Sequence, residues 1–216
     1  MKKGMLRDAY IGLTYTFIIL AMLGGAYFYG TTKPGDKTIS QLEEKFHKKD
    51  LDKILNLGLV QPEFMFNDAN SFVDATYKCV EYLNFTTDRA SRVPTSIIIA
   101  MAGIESGWGT SRFAVDGNNL FGIRTWNLDE PHLKPLGIEK PNFGLKKYAT
   151  KCDSVKDMIR NLNTHTAYTD FRVERSTQLD SGSWDYNKLM PLLHAWSTNP
   201  DYAKIILRTI NERKLP

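Results

Sequence analysis

Metal-binding residues are scarce in this sequence, which has two cysteines and four histidines in 216 residues. Cys79 and Cys152 are far apart, and no histidine lies near either in sequence, so the spacing of a zinc site is missing. His132, His165 and His194 share no spacing, which argues against a zinc hydrolase. No metal and no cofactor are expected. The two cysteines read first as buried thiols; the alternative is one disulfide, which requires an oxidising compartment. A surplus of one charge is missing too: 28 Lys and Arg face 24 Asp and Glu, a net charge of +4. Lys2, Lys3 and Arg7 hold much of that excess, and no basic stripe remains that would bind nucleic acid. There is no internal repeat and no low-complexity tract. With 42% hydrophobic and 24% charged residues, the composition is that of a folded chain. The length suffices for one domain with a core and an appendage.

Charge is absent from Ala9 to Tyr29, AYIGLTYTFIILAMLGGAYFY, a run long enough to span a bilayer as a helix. Lys2, Lys3 and Arg7 precede it, which puts the N-terminus in the cytoplasm. An uncleaved transmembrane signal anchor over 9–30, after a cytoplasmic tail of 1–8, is the preferred reading. A cleavable signal peptide is the rival, but Gly24-Gly25-Ala26 is a weak cleavage site and the apolar run continues past it. Under both readings the rest of the chain lies outside the cytoplasm.

The remainder divides into a linker and helix over 31–60 and a domain over 61–216. Thr31 to Lys37 is polar, with Pro34-Gly35 punctuation, and Ser40 to Leu57 reads as an amphipathic helix. Asn70 to Asn84 reads as another, with Phe72, Ala75, Val80 and Leu83 facing inward. Pro94 opens a strongly apolar helix in its first turn, and Gly107 and Gly109 stop it. From Asn119 to Tyr148, Pro131, Pro135, Gly137, Pro141 and Gly144 break any helix and predict short strands and turns. Helix returns at Val155 to Leu162, capped by Asp153 or Ser154, near Lys188 to Ala195, and at Tyr202 to Ile210 after Asn199-Pro200. The fold class is α+β, mainly α: a helical domain with a small β insert, and a cleft between them for an extended ligand.

The segment Pro94 to Gly109, PTSIIIAMAGIESGWG, carries the chemistry. Ile98, Met101 and Ala102 precede Glu105 by seven, four and three residues, so all share one helix face. Glu105 is the polar end of that apolar stripe. Partial burial penalises its carboxylate, and the negative end of the helix dipole lies close by. A carboxyl kept protonated near neutral pH is what a glycosidic leaving oxygen needs from a general acid. The plainer alternative is a helix-end glutamate in a cap or an ion pair.

Ile104-Glu105-Ser106-Gly107-Trp108-Gly109-Thr110-Ser111-Arg112-Phe113 resembles the ESGWG motif of the bacterial glucosaminidases, glycoside hydrolase family 73. Gly117-Asn118-Asn119-Leu120-Phe121-Gly122-Ile123 resembles the GNNLFGI stretch of that family at the expected short distance. Arg160-Asn161-Leu162-Asn163-Thr164-His165, with Tyr168 after it, is similar to the RNLNTHPAY signature of the Bax-type branch, with Thr166 in place of proline. Ser197-Thr198-Asn199-Pro200-Asp201-Tyr202-Ala203 is similar to the TDP-x-YA segment, with Asn199 in place of aspartate and Trp196 where a tyrosine is frequent. The likeness runs from about Asn70 to the C-terminus. It implies a lysozyme-like fold, hydrolysis of peptidoglycan glycan after N-acetylglucosamine, and the acid role for Glu105. Peptidoglycan strands are then the partner, with the domain held at the inner membrane and facing the periplasm or cell exterior.

An inverting glycosidase needs a base about 6.5–9.5 Å from its acid, and a retaining one a nucleophile about 5–5.5 Å away. The family resemblance implies a glutamate in the insert, and Glu139 is the candidate, with Asp129 and Glu130 behind it. Glu139 also reads as a solvated charge beside Lys140, and assistance by the N-acetyl group of the substrate would remove the need for a second carboxylate. Trp108, Asn119, Phe121, Trp126, Tyr148 and Trp196 are the substrate-binding candidates, of which Trp108 reads equally well as packing under the helix. Asn118 and Asn119 read as orienting the insert or holding substrate amides. Two other functions remain open: a muramidase or lytic transglycosylase of the same fold, and an inactive tethered wall-binding protein. Asn119-Leu120-Phe121-Gly122-Ile123 replaces the GLMQ-like stretch of transglycosylases, and an intact Glu105 argues against inactivity.

Overall fold

A computed structural model of the chain describes residues 15, 18–27, 45, 58–139, 141–179 and 181–216. Two units separate, 1–52 and 53–216. In the first, residues 18–27 are helical and their side chains are exposed. The tail over 1–8, most of the span over 9–30 and most of the helix over 40–57 lie outside the described residues. Among the described residues no helix is long and apolar enough to cross a membrane.

The second unit is mainly helical. Helix α1 spans Ala69–Asn84 and starts at a capping box, in which Asp68 accepts from the Ser71 N–H and Ser71 returns a bond to the Asp68 N–H. Its buried face is Phe72, Ala75, Thr76, Cys79, Val80 and Leu83, the face the sequence predicts. Helix α2, Thr95–Ser106, has Ile97, Ile98, Ile99, Ala100, Met101 and Ala102 wholly buried. A helix apolar on every side is a central element, and α2 packs against α1 and against the last helix, α7 (Tyr202–Glu212). Pro94 sits at the N-cap, one position before the first turn.

Helix α3, Arg112–Gly117, follows, then the β insert. Strands β1 (Arg124–Thr125), β2 (His132–Leu133) and β3 (Gly144–Lys146) form an antiparallel sheet in the order β1-β3-β2. Leu145 lies opposite Arg124 on one side and Leu133 on the other. Helix α4, Lys151–Thr164, starts earlier than its apolar pattern suggests. Its cap is Thr150, and the expected cap Asp153 is instead the third residue of a capping box.

Helix α5, Thr169–Gln178, is not predicted; it buries only Phe171 and Arg175 and so carries no apolar stripe. The expected helix near Lys188 divides into a short α6, Tyr186–Leu189, and a 3-10 helix, Met190–Trp196. In α7, Tyr202, Ile206 and Ile210 are buried at intervals of four, one face against the core. Cys79 and Cys152 form a disulfide between α1 and the start of α4, which overturns the reading of two separate thiols.

Candidate active site

Glu105 stands in the last turn of α2, partly buried. The helix ends there because Gly107 adopts the left-handed conformation, φ 58°, and its N–H bonds back to the Gly103 and Ile104 carbonyls. Trp108 and Gly109 also have positive φ, 56° and 86°. For a tryptophan this backbone is strained by about 1–3 kcal/mol, and packing offsets the strain. The Trp108 ring occupies the space a side chain on Gly103 would need, meets Phe72 edge-on at 6.0 Å, and lies under the Arg213 guanidinium at 3.7 Å. Trp108 is thus placed as a packing residue. Ser106 is buried; its hydroxyl donates to the Ala102 carbonyl and accepts from the Gly109 N–H at 2.8 Å. The ESGWG run is therefore a fold device that holds the catalytic candidate at a fixed helix end.

Across from Glu105, the Tyr202 hydroxyl donates to Oε1 at 2.7 Å. Burial raises the Glu105 pKa above its ordinary value, and hydrogen bonding to Tyr202 and then Trp196 offsets part of that rise. The direction and main cause are those expected from the apolar stripe. Tyr202 is itself held as a neutral phenol, by burial first and then by the neighbouring Glu105 charge. Trp196 contacts Phe121 edge-on at 6.3 Å and Tyr168 at 6.2 Å. The structure thus brings Tyr202 and Trp196 to Glu105, while Phe121, 3% exposed, and Tyr168 pack against Trp196. These two tyrosines lie in stretches that resemble family motifs, but nothing in the spacing marks their hydroxyls as part of a site. The available signal for Tyr202 is its place at the polar end of the apolar face of α7.

The remaining candidates lie elsewhere in the domain's architecture. Asn119 is 1% exposed. Its amide donates to the Ile123 and Lys146 carbonyls, each at 3.0 Å, and its oxygen accepts from the Phe121 and Ile123 N–H groups. Two donors and both acceptor positions are then used, which leaves no capacity for substrate. Asn119 is corrected from substrate binding to a clamp between the α3–β1 loop and β3. Asn118, left-handed at φ 51°, likewise donates to the Tyr148 and Ala149 carbonyls and accepts from Lys151. The Tyr148 hydroxyl donates to Asp157 at 2.7 Å, and Asp157 also takes Lys146 and Arg160, so Tyr148 is committed to the junction of β3 and α4. Burial opposes the Asp157 charge, but the bonds from Tyr148 and Lys146 and the nearby cations hold its pKa below the usual carboxylate value.

Trp126, at 69% exposed, stands out from the insert. Glu139 is exposed in the loop between β2 and β3, and Asp129 and Glu130 are exposed in the loop between β1 and β2. Glu130 accepts from Asn127 at 3.3 Å within the insert. Glu105 is hydrogen-bonded to no carboxylate among the described residues. Among those residues no cluster of His, Cys, Asp or Glu is arranged to hold a metal.

Comparison with known proteins agrees with this geometry. Protein bax of Escherichia coli K12 is 37% identical over 95 residues, which cover 43% of this chain and 32% of that protein. Peptidoglycan hydrolase FlgJ of Vibrio cholerae is 30% identical over 153 residues, 62% of this chain and 43% of that protein. The chain thus spans less than half the length of either relative. The crystal structure of a peptidoglycan hydrolase from Sphingomonas sp. A1 superposes with a TM-score of 0.51 at 23% identity, covering 67% of this chain and 89% of that one. That likeness shows the expected lysozyme-like, mainly helical α+β fold. The Glucosaminidase family, described as mannosyl-glycoprotein endo-beta-N-acetylglucosaminidase, matches residues 86–215, more than half of the sequence, and the chain belongs to that family.

Proposed function

We propose that the domain is a peptidoglycan hydrolase that cleaves glycan strands at N-acetylglucosaminyl bonds, with Glu105 as general acid. The observation that carries this reading is the Glu105 carboxyl, raised in pKa by burial and held at Oε1 by the Tyr202 hydroxyl. Because Tyr202 donates to Oε1, a protonated Glu105 carries its hydrogen on Oε2. That oxygen faces the proton transfer, and Oε1 stays fixed. As the leaving oxygen takes the proton, the developing carboxylate is stabilised by the hydrogen bond from Tyr202, which strengthens with charge. Trp196, half-buried beside the acid, offers an apolar face that suits a sugar ring, and Phe121, 3% exposed and therefore a core residue rather than a substrate contact, packs edge-on against it.

The second role is assigned to Glu139, whose exposed place in the β2–β3 loop leaves it free to approach a bound strand. A second reading, attack by the N-acetyl group of the substrate, is favoured by the make-up of the Glu105 surroundings, where the hydrogen-bonding neighbour among the described residues is a tyrosine, Tyr202, and not a carboxylate. We also propose that the run over 9–30 anchors the chain in the inner membrane with the domain outside. Its support is the absence of charge, the preceding lysines, and the exposed Ile18, Ile19, Leu20, Met22 and Leu23 on the helical residues 18–27. Resistance of the intact chain to alkaline carbonate extraction checks this, and a soluble mature form beginning near Tyr27 contradicts it.

Mass spectrometry of digested peptidoglycan tests the activity. Reducing-end N-acetylglucosamine is the expected product. Reducing-end muramic acid would instead make the chain a muramidase, anhydro-muramic acid a transglycosylase, and no release a binding protein.

A further inference from the structure

The turn behind Glu105 is packed by a segment that lies outside the residues the family matches. Upstream of 86–215, residues 61–66 run without regular secondary structure before α1. Phe64 and Phe66 are half-buried while Glu63, Met65 and Asn67 are exposed, so the alternation of an extended segment turns both rings inward. Both rings pack on the core. One end of the segment is fixed at the start of α4. There the Gln61 amide donates to the hydroxyl of the cap residue Thr150 at 2.5 Å, and the Pro62 carbonyl oxygen lies 3.9 Å from Cys152 Sγ.

The other end is set against the turn that follows the acid. Phe66 meets Phe64 edge-on at 5.8 Å and Phe72 at 5.3 Å, and Phe72 meets Trp108 at 6.0 Å. The tip of the Phe66 ring lies so close to Gly109 that a Cβ on Gly109 would be 2.5 Å from Phe66 Cζ. Gly109 has no side chain to lose and is left-handed at φ 86°, so backbone and ring fit each other. Its N–H is the one that Ser106 Oγ holds, and Ser106 directly follows Glu105. The last carbonyls of a helix have no partner within it, so its final turn depends on what packs there. Phe66 packs on the backbone at this turn, whereas Tyr202 meets the carboxyl itself.

We propose that Phe66 is a positioning residue for the acid: packed on Gly109, it holds the turn that ends α2 and so fixes the place and burial of the Glu105 carboxyl, which makes the segment 61–67 part of the catalytic unit. The inference rests on the reading of Glu105 as general acid, and the contact rests on geometry. Core packing alone would stabilise the chain and leave the acid as it is. Positioning does more. With the ring gone the turn loosens, water reaches Glu105, and the burial that raises its pKa weakens.

Phe66→Ala and Phe66→Leu in the full chain test this, with Met65→Ala as the control at a neighbour that is 74% exposed. NMR titration of the Glu105 carboxyl carbon needs no activity. We expect its midpoint to fall towards the ordinary glutamate value in Phe66→Ala. On purified peptidoglycan, kcat should fall about tenfold or more, the scale on which a displaced catalytic group loses rate, with KM unchanged. The alkaline limb of the pH profile should move down, where loss of the Tyr202 bond would move it up. Phe66→Leu keeps apolar bulk without the ring, so it should shift each reading the same way by less, and it carries the test if Phe66→Ala does not fold. Met65→Ala should match wild type. A midpoint and limb unmoved in the Phe66 variants that fold, whatever their melting temperature, would overturn the proposal. So would failure of both to fold, which would make Phe66 a packing residue only, or equal shifts in Met65→Ala. Failure of the wild-type chain to hydrolyse peptidoglycan would refute the proposed activity instead, and the midpoint would still decide the positioning.

Discussion

Glu105 and Glu139 are carboxylates of the same domain with opposite surroundings. Glu105 ends a helix buried on all sides, its Oε1 is fixed by Tyr202, and the loop behind it is locked by Ser106, Trp108 and Gly109. Glu139 lies on an exposed loop between two short strands, in a region that also exposes Trp126, Leu128, Leu136 and Ile138. The difference teaches where each property comes from. The acid strength of Glu105 is set by packing and is complete in the folded chain. Whatever Glu139 contributes depends on the substrate reaching the insert. Asn119 joins the two regions, since its side chain ties the loop after α3 to β3.

The variants that test this contrast differ in the size of their effects. Glu105→Gln keeps the shape and the Tyr202 contact but removes the transferable proton. Turnover on purified peptidoglycan should fall about a hundredfold or more, with folding intact by circular dichroism. Its stability carries a sign as well. The folded pKa of Glu105 is raised, so its protonated form favours folding at low pH, and that contribution is lost as pH rises through the raised value. At neutral pH Glu105→Gln should therefore melt no lower than wild type. Glu139→Gln, if that residue supplies the base, lowers turnover on a comparable scale, while its exposure keeps the stability change within about 0.5 kcal/mol. Full turnover in this variant, with Asp129→Asn and Glu130→Gln also active, moves the second role to the N-acetyl group.

Asn119→Ala should destabilise by about 2–4 kcal/mol in urea unfolding, because it removes four hydrogen bonds to backbone groups near β3, among which the Ile123 carbonyl keeps a backbone partner, the Lys146 N–H. A change below about 0.5 kcal/mol, the scale of a neutral surface substitution, would return Asn119 to the substrate-binding candidates. Tyr202→Phe has the smallest expected effect, a rate loss of about tenfold for one hydrogen bond to a charge. Its signature is in the pH profile. Loss of the bond from Tyr202 raises the Glu105 pKa further, so the alkaline limb should move up.

Much of this was legible in the amino-acid sequence where one element suffices to explain it. The buried face of α1 follows from apolar spacing, and the end of α2 from Gly107. Glu105 was legible as a candidate because its helix face and its glycine-rich flank coincide, and its acid role came from the resemblance of Glu105-Ser106-Gly107-Trp108-Gly109 to the family motif. Features that depend on two distant segments were not. The disulfide joins residues separated by 73 positions. Helix α5 buries Phe171 and Arg175 and so has no stripe to read. Asn119 and Tyr148 look like polar site residues in the sequence, yet their partners at Lys146, Ile123 and Asp157 consume them. Tyr202 could be placed beside Glu105 only once α7 was packed on α2.

The central claim is that packing keeps Glu105 protonated above the usual range for glutamate. A titration of its side-chain carboxyl carbon by NMR, assigned by comparison with Glu105→Gln, measures this directly. The account predicts a midpoint above the ordinary glutamate value, moving higher in Tyr202→Phe. A midpoint at or below that value, unmoved by Tyr202→Phe, would contradict it.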